Sequence, residues 1–156
     1  MSLGLIVVSS LATFAIIGFG SSDESETDVV AVLGETHRTI PFTIYSFDPA
    51  SVPGGFSIDE DSINYDKGLL AFRVIDTNGN AVAITQQALP RSLVNSSLQG
   101  DESFSTQYGE ATFSITSDGR LTGSLATQQG TLILLNSGDS VTEHSFKDII
   151  RFLKAQ

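Results

Sequence analysis

The stretch 69-LLAFRVIDTNGNAVAITQQ-87 decides the fold of this chain, because it consists of two β-strand patterns around one turn. A two-residue turn at Asn78-Gly79 would leave the apolar side chains of the two strands on opposite faces of the hairpin. A three-residue loop, Thr77–Gly79, which ends on a glycine at positive φ, places them on one face. We therefore predict an antiparallel hairpin with the longer loop, in which the cross-strand pairs are Val74 with Val82 and Phe72 with Ile84.

A second segment, 111-ATFSITSDGRLTGSL-125, has the same design. With Ser117–Gly119 as its loop, the apolar residues again share one face of the hairpin. The expected pairs are Ile115 with Leu121, Phe113 with Gly123 and Ala111 with Leu125. Two hairpins of this form indicate a meandering antiparallel sheet.

Three further segments complete the expected sheet. Thr131–Leu135 (TLILL) is a continuous apolar run, typical of a strand that is buried on both faces, and we place it near the centre of the sheet. Pro41–Phe47 carries apolar groups on both faces and predicts another strand, which ends at the prolines of Asp48-Pro49 and Val52–Gly55. Ala88–Glu102 is polar and irregular, and it predicts a loop that crosses between the two hairpins.

The C-terminal segment has the pattern of an amphipathic helix. Ser140 and Glu143 have the spacing of a capping box, in which each side chain bonds to the backbone N–H of the other residue. The apolar residues that follow form one helical stripe, which consists of Phe146, Ile149, Ile150 and Leu153. The predicted fold class is therefore α+β: an antiparallel meandering β-sheet of about five to seven strands, covered on one face by this helix and preceded by an N-terminal apolar helix.

That N-terminal helix is predicted from Leu3–Gly20, an uncharged run with the sequence LGLIVVSSLATFAIIGFG. As a helix it would be about 27 Å long, close to the roughly 30 Å hydrocarbon core of a bilayer. A secretory signal peptide, an uncleaved anchor and a core helix of a soluble protein are the alternatives. We favour the anchor, because the run is apolar all round and is longer than the core of a typical signal peptide.

The chain is expected to have three parts: a transmembrane anchor or signal segment over residues 1–20, an acidic tether over 21–36, and an extracytoplasmic α+β domain over 37–156. The stretch Ser21–Asp28 (SSDESETD) carries acidic side chains without a basic one, and like charges at that density extend a chain. Val29–Leu33 is open to two interpretations, a continuation of the tether or an edge strand.

Composition excludes several classes of function. The chain has 18 Asp and Glu against 8 Lys and Arg, which gives a formal net charge of −10. Such a charge repels nucleic-acid backbones and anionic lipid surfaces, so we expect no nucleic-acid partner. The absence of cysteine removes disulfides, thiol catalysis and Cys-ligated zinc.

Residues that could carry catalysis or bind a metal do not form a recognisable motif. His37 and His144 are in no metal-binding or triad pattern, and Ser145, His144 and Asp139 are too close in sequence on a helix to converge as a triad. Asp59–Asp61 lacks the alternating oxygen ligands of a calcium loop and is interpreted as a solvated turn. We therefore predict no catalytic, cofactor-binding or metal-ligating residue, and no cofactor.

Two glutamine pairs have two possible roles. Gln86-Gln87 ends a predicted strand and Gln128-Gln129 lies in a predicted turn. Both pairs could line a polar recognition surface. The alternative, which we favour, is ordinary decoration of a sheet edge.

The chain resembles small membrane-tethered bacterial domains of unknown function, which are similar to domains on the outer side of anti-sigma factors. The resemblance rests on Val52–Phe56 (VPGGF), the strand end Ala83–Gln87 (AITQQ), the run Leu132–Ser137 and the closing helix. It extends from Pro41 to Ala155. It implies an extracytoplasmic location, and it implies no catalytic residues.

The leading hypothesis is a membrane-anchored, extracytoplasmic, non-enzymatic module, held in the membrane by Leu3–Gly20, that binds a protein partner or small ligand at the cell envelope. One alternative is a filament subunit similar to type IV pilins, although Leu5 stands where such proteins typically carry glutamate. The other is a hydrolase whose site is assembled from scattered residues.

Overall fold

The computed structural model of the chain describes residues 28–48, 52–94 and 98–156. Two α-helices and nine β-strands lie in these ranges, together with 3-10 helical turns at Gly34–Thr39, Pro53–Gly55 and Arg91–Leu93. In chain order the helices and strands are α1 (Val29–Leu33), β1 (Tyr45–Ser46), β2 (Ser57–Asp66), β3 (Leu69–Ile75), β4 (Ala81–Ala88), β5 (Glu102–Thr106), β6 (Gly109–Ile115), β7 (Leu121–Ala126), β8 (Thr131–Ser137), α2 (Glu143–Phe152) and β9 (Lys154–Ala155).

Seven strands form one antiparallel sheet in the order β2-β3-β4-β8-β7-β6-β5. The sheet consists of two meanders, β2 to β4 and β5 to β8, which meet where β4 pairs with β8. Strands β1 and β9 form a separate two-stranded pair. The predicted α+β class, with an antiparallel sheet and a C-terminal helix, is thereby confirmed.

Both hairpins have the predicted register. In the first, Val74 lies opposite Val82 and Phe72 lies opposite Ile84. In the second, the observed pairs are Ile115 with Leu121, Phe113 with Gly123 and Ala111 with Leu125. The loop glycines, Gly79 and Gly119, both have φ of 84°, the left-handed conformation that the longer loop requires. The predicted strand at Thr131–Leu135 is the middle strand of the seven, β8.

Helix α2 packs on one face of the sheet, which we call the core face. Its predicted stripe is fully buried, with exposures of 0 % to 1 % for Phe146, Ile149, Ile150 and Leu153. The helix approaches β7 closely at Gly123, where an added Cβ would lie 2.9 Å from the Phe146 ring and 3.1 Å from Ile150. Glycine at this position therefore allows the helix to dock.

The helix begins two residues later than the capping-box prediction requires. Thr142 is the N-cap, and its Oγ1 accepts a hydrogen bond from the Ser145 backbone N–H at 3.2 Å. The capping box predicted at Ser140 and Glu143 is therefore wrong, and the Glu143 carboxylate instead bonds to Lys147 Nζ at 2.6 Å. Val141, directly before the cap, packs against the core and so holds Thr142 at the start of the helix.

The N-terminal part of the described chain contributes to the core. Val29–Leu33 is neither extended tether nor strand but the short helix α1, capped by the Asp28 side chain. Val29 is completely buried. The packed part of the chain therefore begins within the range 21–36 that the sequence analysis gives to the tether.

The predicted strand at Pro41–Phe47 is reduced to Tyr45–Ser46, which pairs with β9 rather than with the main sheet. The charged segment Asp59–Asp61, interpreted as a solvated turn, is part of β2 instead. An edge strand has only one neighbour, so it accommodates such charges on its solvent side.

The apolar run Leu3–Gly20 lies outside the described residues. Within residues 28–48, 52–94 and 98–156, neither helix has the length and apolar character needed to cross a membrane.

Candidate functional site

One glutamine of each pair, Gln86 and Gln129, holds the fold together. Gln86 is completely buried on the core face. Its Oε1 accepts a hydrogen bond from the Tyr45 backbone N–H at 2.8 Å, and its Nε2 donates to the Tyr45 carbonyl at 2.5 Å. The side chain thus satisfies the backbone groups on the side of β1 that faces away from its partner strand β9. Gln129 accepts a hydrogen bond from the Tyr45 hydroxyl at 2.7 Å, so neither glutamine simply decorates an edge.

Burial is the main cause that raises the pKa of the Tyr45 hydroxyl. Because the phenol is neutral and bonded to Gln129, it is a packing group rather than an acid–base group. This cluster is therefore a structural one.

The candidate triad residues do not converge. Asp139 accepts a hydrogen bond from Arg120 Nε at 2.7 Å, and His144 Nε2 lies 3.1 Å from an oxygen of Asp148 on the same helix. Ser145 is occupied with the helix cap. In the parts of the chain that the structure describes, no three His, Asp or Glu side chains are grouped so as to hold a metal ion.

The face of the sheet opposite α2, which we call the outer face, is not the face on which α2 packs, because the apolar stripe of α2 lies in the core. The register places alanine and hydroxyl side chains on most of this face, with Leu134 and Asn136 on its middle strand β8. Thr112 and Ser124 bond to each other at 2.8 Å. Its central residues, on β3, β4, β8, β7 and β6, are Ala71, Ala83, Thr85, Leu134, Asn136, Thr122, Ser124, Thr112 and Ser114.

The described residues that lead into β5, Leu98–Asp101, lie against this outer face, and we call them the crossing segment. An added Cβ at Gly100 would lie 2.8 Å from Thr112 Cβ and 2.9 Å from the Phe113 carbonyl oxygen, so the segment lies directly on β6. A groove of about 600 Å³ runs beside it. The groove is lined by Leu98, Gln99, Gly100, Asp101, Glu102, Ser103, Glu110, Thr112 and Ala126.

The groove is acidic. The eight Lys and Arg side chains all lie in the described residues, and none of them forms an ion pair with Asp101 or Glu110 there. Glu102 is the exception, because Lys147 Nζ lies 3.3 Å from its carboxylate. A hydrogen bond to Glu143 is the main cause that raises the pKa of Lys147, and the hydrogen bond to Glu102 adds to it. Because Lys147 belongs to α2, its ion pair with Glu102 lies on the core side of β5. Two exposed carboxylates thus remain free to meet a cation.

These groove residues are ones that sequence reasoning missed. The alternation of Ser103, Phe104 and Ser105 is a period-two signal that could have identified β5. The groove itself has no local signal, because it forms only where the crossing segment meets β6.

Comparison of the chain with protein families, with curated proteins and with solved structures found no match.

Proposed function

We propose that this protein is a membrane-anchored, extracytoplasmic, non-enzymatic module that binds a protein partner through the outer face of its sheet. The anchor is Leu3–Gly20, whose length and lack of charge suit a bilayer span. The acidic stretch Ser21–Thr27 separates the anchor from the first packed residues.

The observation that supports binding is the acidic groove on the outer face. The core face is filled by α1, α2 and the segment around Tyr45, so it carries the stability of the domain. The outer face instead presents a shallow surface of mostly small side chains beside two carboxylates without ion-pair partners. A surface of this kind suits a protein segment better than an enclosed small molecule.

The location is tested by fractionation. The full chain is expected in the membrane fraction, and a shortened chain that begins at Ser21 in the soluble fraction, because only the full chain contains the apolar run. A full chain that stays soluble would refute the anchor.

Binding is tested by a photo-crosslinking amino acid at Gln99, an exposed residue of the groove, in cells that make the full chain natively. We expect a discrete protein adduct from this position. The matched control is Asn78, an exposed residue in the loop between β3 and β4, which should give none. Equal labelling from both positions would mean that the groove has no special role.

A further inference from the structure

The two edges of the main sheet differ in how they are protected. At the β2 edge the pairing with β3 is irregular between Asp59 and Asn64, and α1 lies against the strand. Bulges, charges and covering elements are devices that prevent an edge from pairing with another chain. The β5 edge has a continuous register with β6 from Glu102 to Thr106, and its sequence, ESFST, contains neither lysine nor proline. Within the described residues it is an unprotected edge.

The free backbone groups of β5 can be assigned from the register. Thr106 and Gly109 close a two-residue loop, so they must form a hydrogen-bonded pair. Hydrogen-bonded and non-hydrogen-bonded pairs alternate along an antiparallel ladder. The N–H and C=O groups of Ser103 and Ser105 therefore face away from β6, toward the free edge.

Side chains on the two faces of β5 differ in chemistry. On the outer face, Ser103 and Ser105 are small and exposed, and Ser105 lies opposite Glu110 of β6. Asp101, two residues before Ser103, belongs to the same acidic groove. On the core face, Phe104 is half-buried and makes an edge contact with Phe113, at 6.2 Å between ring centroids. The Arg151 guanidinium lies over the Phe104 ring, 5.1 Å from its centroid. A strand added at this edge would thus meet carboxylates on the outer face and, on the core face, a half-buried aromatic ring that also contacts Arg151.

We propose that the β5 edge binds an extended, basic segment of a partner protein by strand addition. The segment alternates Lys or Arg with apolar residues: the basic side chains cross Ser103 and Ser105 toward Asp101 and Glu110, and the apolar side chain packs beside Phe104. The added strand lies two strand spacings, about 10 Å, from β6, so only long basic side chains bridge the small serines to Glu110. This inference rests on the proposed function and names the class of partner.

Charge decides against a second copy of the chain as the occupant. Each copy carries a net charge of −10, and pairing two β5 strands would bring the groove carboxylates of both copies together. Like charges across adjacent strands are destabilising. A basic segment instead neutralises them, and this complementarity both speeds association and selects the partner.

The test uses the full chain in detergent micelles and a fluorescent probe peptide, acetyl-Gly-Arg-Val-Arg-Val-Arg-Gly-amide. We expect saturable binding by fluorescence anisotropy that weakens as salt is added. Two control peptides should bind at least tenfold more weakly: one with Glu in place of Arg, and one with N-methylated backbone at alternate residues, which removes the edge hydrogen bonds. No binding of the probe up to about 1 mM would overturn the proposal.

Variants of the full chain locate the peptide. Ser105→Pro removes an N–H that faces the free edge while leaving the bonds to β6 intact, and it should weaken binding at least tenfold, whereas Ser105→Ala should not. Glu110→Gln and Asp101→Asn should each weaken binding about two- to fivefold, as expected for exposed ion pairs. Asp61→Asn on the opposite edge is the matched control and should have no effect. Equal effects of Asp61→Asn and Glu110→Gln would mean non-specific attraction and would refute the site.

The remaining outcomes separate this proposal from its alternatives. If Ser105→Pro lowers the melting midpoint of the domain, the N-methylated peptide tests the edge hydrogen bonds on the unsubstituted chain instead. If the crosslinker at Gln99 captures a partner but the probe peptide does not bind, strand addition is wrong and the binding module stands. If the chain dimerises through β5, shown by loss of the dimer in Ser105→Pro, the occupant is a second copy and the basic segment is refuted.

Discussion

Replacing Gln86 by leucine should destabilise the domain strongly, because this side chain alone satisfies both backbone polar groups of Tyr45 at the buried end of β1. The substitution keeps a side chain of similar size on the core face and removes both hydrogen bonds, at 2.8 Å and 2.5 Å. Each buried backbone group left without a partner costs about 1–3 kcal/mol. The expected loss of unfolding free energy is therefore about 2–6 kcal/mol, which lowers the melting midpoint by about 7–22 °C for a domain of this size.

The adjacent residue offers a matched control. Gln87 lies on the outer face and is only partly buried, so Gln87→Leu should change the unfolding free energy by less than about 0.5 kcal/mol. Both variants can be measured by urea unfolding, followed by circular dichroism. If Gln86→Leu and Gln87→Leu have equal midpoints, the hydrogen bonds to Tyr45 do not stabilise the fold and the reasoning is refuted.

Three further predictions concern the helix and the first hairpin loop. Ile149→Asp places an unpaired charge at a completely buried position and should cost several kcal/mol, so an unchanged melting midpoint would mean that α2 is not docked. Thr142→Ala should cost about 1 kcal/mol in urea unfolding through loss of the N-cap, whereas Ser140→Ala should cost almost nothing; equal costs would restore the capping box. The hydrogen bond from the Asn80 side chain is the main cause that lowers the pKa of Asp76 below its usual 3.8. Stability from Asp76 is therefore fully present above pH 3.8 and is lost as the pH falls through the lowered value, so Asp76→Asn should flatten the acid limb of the stability–pH curve.

The parts of the fold that could be predicted from the sequence are those in which neighbouring residues decide the outcome. The two hairpins could be predicted down to their individual cross-strand residue pairs. The position of the loop glycine and the alternation of the strands together allow only one register that places the apolar side chains on one face. The stripe of α2 was predictable because helical period and apolar spacing agree.

Competing local signals account for the errors. Ser140 and Thr142 are both good caps, and packing of Val141 selects Thr142. Asp59–Asp61 has the composition of a turn, yet it is part of the edge strand β2. Asp59 pairs with Arg73 of β3, and Glu60 and Asp61 lie in the irregular part of this strand, where their charges are exposed. In both cases a contact distant in sequence decided between two local possibilities.

The sequence by itself determined the hairpins, the amphipathic helix, the acidic charge and the apolar N-terminal run. The charge follows from composition alone, and each of the other features depends on residues that are close together in the sequence. Only the tertiary structure decided that β4 pairs with β8, that Gln86 binds Tyr45, and that the crossing segment lies on β6 to form an acidic groove. These contacts join residues far apart in the chain, and their selection depends on the burial of the whole core, which no local pattern encodes.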